Sequence, residues 1–278
     1  MDDLIIGCAT NYSWDQLKYW VRSINDCGFT GKKVLILFNC DKDTTRKVID
    51  AGFDIMAMTI KENGDLFHMS EFPVHVERFI HIYNYLLTNN FRYVITTDVK
   101  DVIFQRNPIE FLESNVIFKD LVFSSESIQY KNEPWGDRNL LETFGEMIYN
   151  THKDNEIYNV GVLAGTGEAM RDLCLNIFQL CLNRPIPIVD QSTFNLLINS
   201  LPYKKTSLYT KSESGWACQL GTTLDPRKSD LFAPHLLEKS PIIEGDLVKT
   251  SWGEDYYIVH QYDRIPNLLP IIERKYGD

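Results

Sequence analysis

The alternation of strand-like and helix-like segments over the first hundred residues constrains the fold of this chain more than any other sequence feature. Short apolar runs predict strands, and segments whose apolar residues recur at helical spacing predict the helices between them. The predicted strands are residues 4–9, 34–38, 53–58 and 91–97, and the predicted helices begin at Trp14, at Asp43 and after Pro73. The run at 34–38 is apolar on both faces, which is typical of a central strand. This alternation predicts an α/β fold with a mostly parallel sheet covered by helices.

The second half of the chain has a less regular pattern. It contains predicted strands at 121–124, 157–164 and 256–260 and predicted helices at 168–183 and 190–200. Neither an internal repeat nor a Pro- or Ser-rich linker divides the sequence. We therefore expect one α/β domain over residues 1–278, with a regular first half at 1–104 and a mixed C-terminal half at 105–278.

Charge and composition exclude several classes of protein. Lys and Arg number 28 against 38 Asp and Glu, and the net charge of −10 argues against a general nucleic-acid-binding surface. No apolar run approaches the roughly 18 residues that a membrane span needs. Because the first residues also lack the basic region of a signal peptide, we expect a cytoplasmic protein. The six cysteines have no CxxC spacing and are predicted to be free, mostly buried thiols rather than zinc ligands.

Two carboxylates directly follow the predicted strand at 91–97. Asp98 and Asp101 stand where ligands gather in a parallel sheet, beyond the carboxyl end of a strand. Carboxylate oxygens at such a place suit Mg²⁺ or Mn²⁺, which often share them with a substrate phosphate. Alternatively, Asp98 caps a turn and Asp101 forms a salt bridge with Arg92 or Arg106.

The segment around these acids resembles the metal-binding DxD motif of the GT-A glycosyltransferases, enzymes that use nucleotide sugars. The spacing here is Asp98-x-x-Asp101, with Lys100 at the position of the second acid of a strict DxD motif. Two arrangements are compatible with this spacing. A bulge brings Asp101 to the metal, or Asp98 binds the ribose while Asp101 binds the metal; we favour the second.

Two segments of the first half resemble nucleotide-binding parts of GT-A enzymes. The run from Gly7 through Thr10, Asn11 and Tyr12 looks like the first strand and loop, which receive the base and ribose. Arg78 is similar to the basic residue that many GT-A helices point toward the donor diphosphate. The alternatives are a turn that only starts the next helix and an exposed helix arginine paired with a nearby acid.

Two further segments resemble the sugar-binding part of these enzymes. Asn159 stands in Tyr-Asn-Val-Gly, which is similar to the N-x-G segment that runs past the donor sugar. Asp190 begins Asp-Gln-Ser-Thr-Phe-Asn, which looks like the D-Q-x-x-x-N helix start of several, mostly retaining, GT-A families. The resemblance implies that Asp190 lies beside the anomeric carbon, as a base, a hydroxyl-orienting group or a cation-stabilising group. The alternative is a simple helix N-cap.

His260 ends the predicted strand at 256–260 and is similar to the late histidine that completes the metal shell in many GT-A enzymes. An imidazole ligand favours Mn²⁺ over Mg²⁺. Asp263 and Arg264 either orient the ring of His260 or pair with each other. The other histidines show no partner pattern and are predicted to be structural: His68, His75, His81, His152 and His235.

The resemblance implies a metal-dependent glycosyltransferase of GT-A (Rossmann-like) fold. Residues 1–104 would bind a UDP-sugar, or a GDP-sugar, and residues 105–278 would bind the sugar and a glycan or other hydroxyl acceptor. Two alternatives are a sugar-1-phosphate nucleotidyltransferase and a non-catalytic nucleotide- or sugar-binding relative. The first normally has a Gly-rich basic loop after strand one, where this chain has Asn11 and Tyr12, and Lys100 favours the second.

Overall fold

The computed structural model of the protein describes residues 1–116 and 118–277. Its strands are β1 (Leu4–Thr10), β2 (Lys32–Phe38), β3 (Asp54–Met56), β4 (Thr59–Ile60), β5 (Leu66–Phe67), β6 (Tyr93–Thr97), β7 (Val102–Phe104), β8 (Leu121–Gln129), β9 (Glu156–Thr166), β10 (Ser207–Thr210), β11 (Ala217–Gln219), β12 (Ile242–Glu244), β13 (Leu247–Lys249) and β14 (Ile258–His260). Its helices are α1 (Trp14–Asp26), α2 (Lys42–Asp50), α3 (Val74–Thr88), α4 (Pro108–Asn115), α5 (Pro134–His152), α6 (Gly167–Cys181), α7 (Asp190–Ile198), α8 (Tyr203–Thr206), α9 (Leu220–Thr223), α10 (Ser229–Phe232) and α11 (Leu269–Tyr276).

A seven-stranded sheet forms the centre of the molecule, in the order β10-β8-β9-β6-β1-β2-β3. Strand β9 runs antiparallel to its neighbours β6 and β8, and the other six strands share one direction. The predicted α/β class with a mostly parallel sheet is therefore confirmed. Strand β2 lies between β1 and β3, as its two apolar faces predict.

Helices cover both faces of this sheet because successive side chains of a buried strand point to opposite sides. Ile5 of β1 packs in one core with Leu17 and Trp20 of α1. Its neighbour Ile6 packs in the other core with Phe79 of α3. Helix α6 lies against α3 on this second face. The candidate site lies at the edge of the sheet formed by the carboxyl ends of the parallel strands, where Asp98 directly follows β6.

A small second sheet, ordered β11-β14-β7, adjoins this edge. Strand β7 follows β6 after the four residues 98–101 and pairs antiparallel with β14, with Val102 opposite His260. A third apolar core, which includes Ile103, Cys218 and Val259, fixes this sheet. The pairing brings the C-terminal strand next to the segment that follows β6.

Several elements differ from the sequence prediction. Helix α5, the longest described helix at 19 residues, was not predicted, because it buries few apolar side chains and Gly145 interrupts it with a φ of 76°. The hairpin of β4 and β5 was also missed, since each strand has only two residues. The six cysteines are free thiols, four of them buried. Among the described residues, every helix is too short or too polar to cross a bilayer.

Candidate metal centre and active site

Three of the predicted ligands meet where β6 ends. His260 Nε2 lies 3.5 Å from Asp98 Oδ2 and 3.6 Å from Asp101 Oδ1. One donor atom from each residue lies within 4.8 Å of the other two. We call Asp98, Asp101 and His260 the carboxylate cluster. The pairing of β7 with β14 creates it, because that pairing joins residues more than 150 positions apart in the chain.

The segment 98–101 is held by backbone contacts to two other elements. The Asp98 N–H donates to the carbonyl of Gly161 at 2.8 Å, and the Gln261 N–H donates to the carbonyl of Asp101 at 2.6 Å. The Tyr262 hydroxyl donates to the carbonyl of Lys100 at 3.1 Å. Asp101 therefore reaches His260 from the connection between β6 and β7.

The alternative interpretation of Asp101 as an ordinary salt-bridge partner is wrong. Arg92 pairs instead with Asp3 and Glu113. Arg106 pairs with Glu110 on α4. Neither arginine takes the Asp101 carboxylate, which stays within the carboxylate cluster.

Gln219 orients the imidazole of His260. Its Oε1 accepts a hydrogen bond from His260 Nδ1 at 2.6 Å, and its Nε2 donates to Ser124 Oγ at 2.8 Å. A proton held on Nδ1 leaves Nε2 as the ring atom that faces the two carboxylates, the position from which an imidazole binds a metal. The predicted role of Asp263 in orienting the ring is wrong, since Asp263 lies 4.0 Å from the Lys100 ammonium instead.

The charge on this imidazole depends on the acids around it. Burial lowers the pKa of His260, but Asp101 and Asp98 raise it by more, to about 9. The same proximity acts on Asp98: burial raises its pKa, and Arg78 and His260 bring it well below the usual range. Two carboxylates that stabilise positive charge on His260 would also stabilise a divalent cation, which would displace the Nε2 proton of the imidazole.

Gly161 permits this close approach. A Cβ at this position would lie 2.6 Å from His260 Cε1 and 2.8 Å from both Asp98 Oδ2 and Asn159 Oδ1. Any side chain would therefore push the ligands apart. The glycine of the Asn-Val-Gly segment thus has a steric role in β9, next to the carboxylate cluster.

Arg78 lies between the carboxylate cluster and Asp190. One of its terminal nitrogens donates to Asp98 Oδ1, and the other lies 3.2 Å from Asp190 Oδ2. Arg78 is 7% exposed, so the alternative of an exposed helix arginine is wrong, although its pairing with acids is correct. The guanidinium therefore links the carboxylate cluster to Asp190 through one planar group.

Asp190 is the first residue of α7 and is buried. The N-cap is Val189, so the alternative role of Asp190 as a helix N-cap is wrong. Burial raises the pKa of Asp190, and the opposing effect of Arg78 does not cancel it. A carboxyl group with a raised pKa beside a cavity is typical of sites that transfer protons.

Glu126 of β8 is a site residue that the sequence interpretation missed. Its Oε1 accepts hydrogen bonds from Asn159 Nδ2 and Gln191 Nε2, both at 2.7 Å, and its Oε2 accepts one from Thr222 at 2.8 Å. The available signal was an acid inside the otherwise uncharged strand Leu121–Gln129. Buried acids need partners, so an acid there indicates a polar network.

The contacts of Asn159 lie within this network. Its Oδ1 accepts from the Gly161 N–H at 2.6 Å while its Nδ2 donates to Glu126. One amide proton and one lone pair stay available for a ligand. The side chain therefore holds β9 and Glu126 together at the wall of the cavity.

Three cavities follow one another along this edge of the sheet. The first has about 440 Å³ and is lined by Glu126, Asn159 and Asp190 together with the carboxylate cluster. The second has about 280 Å³ and shares Arg78, Asp98 and Asp101 with the first. The third has about 400 Å³, with Asn11, Tyr12, Asn39, Lys61 and Asp65 among its lining residues, and shares Tyr12 with the second.

The three predicted nucleotide-binding residues at the end of β1 lie in different places relative to these cavities. Tyr12 lies at the junction of two cavities, and Asn11 lines only the third. Thr10 lies outside the three cavities described here, and its hydroxyl accepts from Asn11 Nδ2 at 3.3 Å. The structure brings together the other predicted site residues around the first and second cavities.

The chain matches no family model, and no curated protein matches it significantly. The chemistry of the site therefore follows from its geometry alone. Two half-buried carboxylates, a buried imidazole and a buried guanidinium meet where two cavities join. Such an arrangement is suited to bind a divalent cation and a phosphate-bearing ligand together.

Proposed function

We propose that the protein is a metal-dependent glycosyltransferase of the GT-A type. It transfers a sugar from a nucleoside diphosphate donor to a hydroxyl group of an acceptor such as a glycan. The observation that carries this proposal is the convergence of Asp98, Asp101 and His260 beside Arg78, where the first and second cavities join. A diphosphate at this junction leaves one cavity for the nucleoside and the other for the sugar and acceptor.

The carboxylate cluster is proposed to hold Mn²⁺, or Mg²⁺ in its place. The one imidazole among the ligands favours Mn²⁺. When bound, the cation neutralises negative charge on the diphosphate leaving group. Asp98, Asp101 and His260 bind it, while Gln219 keeps the Nε2 lone pair of His260 directed at the site.

The nucleoside is proposed to lie toward Tyr12. The ring of Tyr12 offers a stacking face between the second and third cavities, and Asn11 lies beyond it. We propose UDP, because it is the commoner donor nucleotide among the enzymes that these motifs resemble. Arg78 is poised to exchange its contacts with Asp98 and Asp190 for diphosphate oxygens.

The sugar and acceptor are proposed to occupy the first cavity. Asp190 lies across Arg78 from the carboxylate cluster, and its raised pKa supports proton exchange with the acceptor hydroxyl. Glu126 fixes the amides of Asn159 and Gln191, so both can present hydrogen-bonding groups in defined directions. The Asp-Gln helix start supports transfer with retention of anomeric configuration.

The test is hydrolysis of a panel of UDP- and GDP-sugars with and without Mn²⁺. We expect metal-dependent release of sugar from at least one donor, and loss of this activity in Asp101→Asn. Glu110→Gln is the matched control, because Glu110 is an exposed acid of α4 that pairs with Arg106. Release of pyrophosphate from a nucleoside triphosphate and a sugar phosphate would identify a nucleotidyltransferase instead. Metal-independent UDP binding without hydrolysis of any donor would identify a non-catalytic binding protein.

A further inference from the structure

A second cluster of ligand-type side chains lies at the start of α3, next to Arg78 in the sequence. His68 Nε2 is 2.5 Å from Glu77 Oε1, and His81 Nε2 is 3.2 Å from the same oxygen. One donor atom of each residue lies within 4.8 Å of the other two. We call His68, Glu77 and His81 the histidine cluster. The sequence showed no partner pattern for either histidine, and the structure places both against Glu77.

The protein positions these groups through contacts that do not involve their donor atoms. Glu77 and His81 are four residues apart and share one face of α3. The backbone N–H and carbonyl of His68 are hydrogen-bonded to the side-chain amide of Asn39, at 3.0 and 3.1 Å. The ring of Phe38 packs 4.5 Å from the His68 ring and 4.9 Å from the His81 ring. The cluster is therefore held in place before any ligand binds.

One carboxylate oxygen of this cluster makes no hydrogen bond of ordinary geometry with the described residues. Glu77 Oε2 is buried and has no hydrogen-bond partner of ordinary geometry within residues 1–116 and 118–277. Burial raises the pKa of Glu77, but the Ser70 hydroxyl and the two imidazoles lower it by more, so the group is a carboxylate at neutral pH. A buried carboxylate oxygen without a partner costs free energy, which a bound cation would offset.

We propose that His68, Glu77 and His81 bind one zinc ion. Two imidazole nitrogens and one carboxylate oxygen form a donor set that Zn²⁺ prefers, with water or a fourth group completing a tetrahedron. The ion fastens the residues after β5 to the first turns of α3. Because Arg78 directly follows Glu77, this zinc also fixes the part of α3 that carries Arg78. The proposal does not depend on the transferase function.

The experiment measures zinc bound per chain by the purified full-length protein after removal of metals and dialysis against zinc. Glu77→Gln and His81→Gln are each expected to bind one equivalent of zinc less per chain than the parent protein. This loss is expected whether the parent is the wild type or Asp101→Asn. The Asp101→Asn background separates this loss from zinc at the carboxylate cluster. His235→Gln is the matched control, because His235 is exposed and away from either cluster, and it is expected to retain all zinc.

Two further measurements keep the proposal testable if a variant misfolds. Zinc at 100 times its Kd is expected to raise the Tm of Asp101→Asn by about 5 °C, and not that of Asp101→Asn/Glu77→Gln. Co²⁺ added to metal-free Asp101→Asn is expected to give the visible absorption of a tetrahedral site, which zinc then abolishes. Equal zinc content in Glu77→Gln and its parent, or no displaceable Co²⁺ spectrum, would overturn the proposal.

Discussion

The carboxylate cluster and the histidine cluster both adjoin Arg78, but they differ in ligands and in access. The first has two carboxylates and one imidazole, and its acids Asp98 and Asp101 are 32% and 18% exposed at a cavity junction. The second has two imidazoles and one carboxylate, and its side chains are 9% to 17% exposed. An open, oxygen-rich cluster suits a hard cation shared with a substrate, whereas a closed, nitrogen-rich cluster suits structural zinc.

This difference shows how one helix can serve two purposes. Arg78 donates to Asp98 of the carboxylate cluster, while Glu77, one residue earlier, contacts the two histidines of the histidine cluster. Adjacent positions on a helix face directions about 100° apart, so neighbouring residues meet different surroundings. Zinc content of the histidine cluster in Asp101→Asn tests whether the two clusters act independently, and the other variants test how the carboxylate cluster and its surroundings work.

The largest expected effect is on activity in Asp101→Asn. Loss of one carboxylate ligand removes cation-dependent charge stabilisation, and we expect kcat/KM for the donor to fall at least about 100-fold. The measurement is Mn²⁺-dependent sugar release, with far-UV circular dichroism to verify folding. Zinc at the histidine cluster is expected to be unchanged, and a parallel loss there would show that the clusters are not independent.

Asp190→Asn is expected to lower kcat by about 100-fold with the donor Kd nearly unchanged. The amide keeps the shape and the contact with Arg78 but cannot exchange a proton. Calorimetric titration with UDP and steady-state kinetics separate the two quantities. Glu142→Gln, an exposed acid on α5, provides the control. An unaltered kcat would remove Asp190 from the reaction.

Gly161→Ala tests whether the carboxylate cluster needs the close approach of β9 at Gly161. The added methyl would lie less than 3 Å from both His260 and Asp98, and the resulting displacement is expected to weaken Mn²⁺ binding about tenfold, equal to about 1.4 kcal/mol. Mn²⁺ titration followed by electron paramagnetic resonance measures this affinity. Unchanged Mn²⁺ affinity would mean that cation binding does not need this approach.

Glu126→Gln is expected to destabilise the fold by about 1–3 kcal/mol. The new amide group faces the donors from Asn159, Gln191 and Thr222, so at least one of these hydrogen bonds is lost. Urea unfolding measures the change, and Glu146→Gln on the exposed side of α5 is the control. A stability equal to that of the control would argue against a tightly ordered network.

The smallest effect is expected in Lys100→Ala. Lys100 is exposed and lies 4.0 Å from Asp263, and surface pairs of this kind contribute about 1 kcal/mol or less. We expect the Mn²⁺ affinity to change less than about threefold. A large increase in Mn²⁺ affinity would mean that the Lys100 ammonium repels the cation. Asp101 would then not fully replace the acid that a strict DxD motif has at position 100.

Local patterns in the sequence were sufficient for much of the first half and for part of the site. The strands that flank α1, and the acids after β6, follow from apolar runs and their ends. The helix α5 and the partner of His68 did not follow, because the first has little amphipathic pattern and the second depends on a contact with α3. Periodicity in a sequence indicates which residues of one element are buried. It does not reveal an element without an apolar face or a contact between two elements.

The sequence by itself determined the α/β alternation and placed Asp98 and Asp101 at the end of a buried strand. Only the tertiary structure decided which distant groups meet them. The pairing of β7 with β14 brought in His260, the space at Gly161 allowed the approach, and Gln219 and Glu126 supplied hydrogen bonds that no local motif encodes. Periodicity depends on near neighbours along the chain, whereas a site depends on contacts between residues far apart in it.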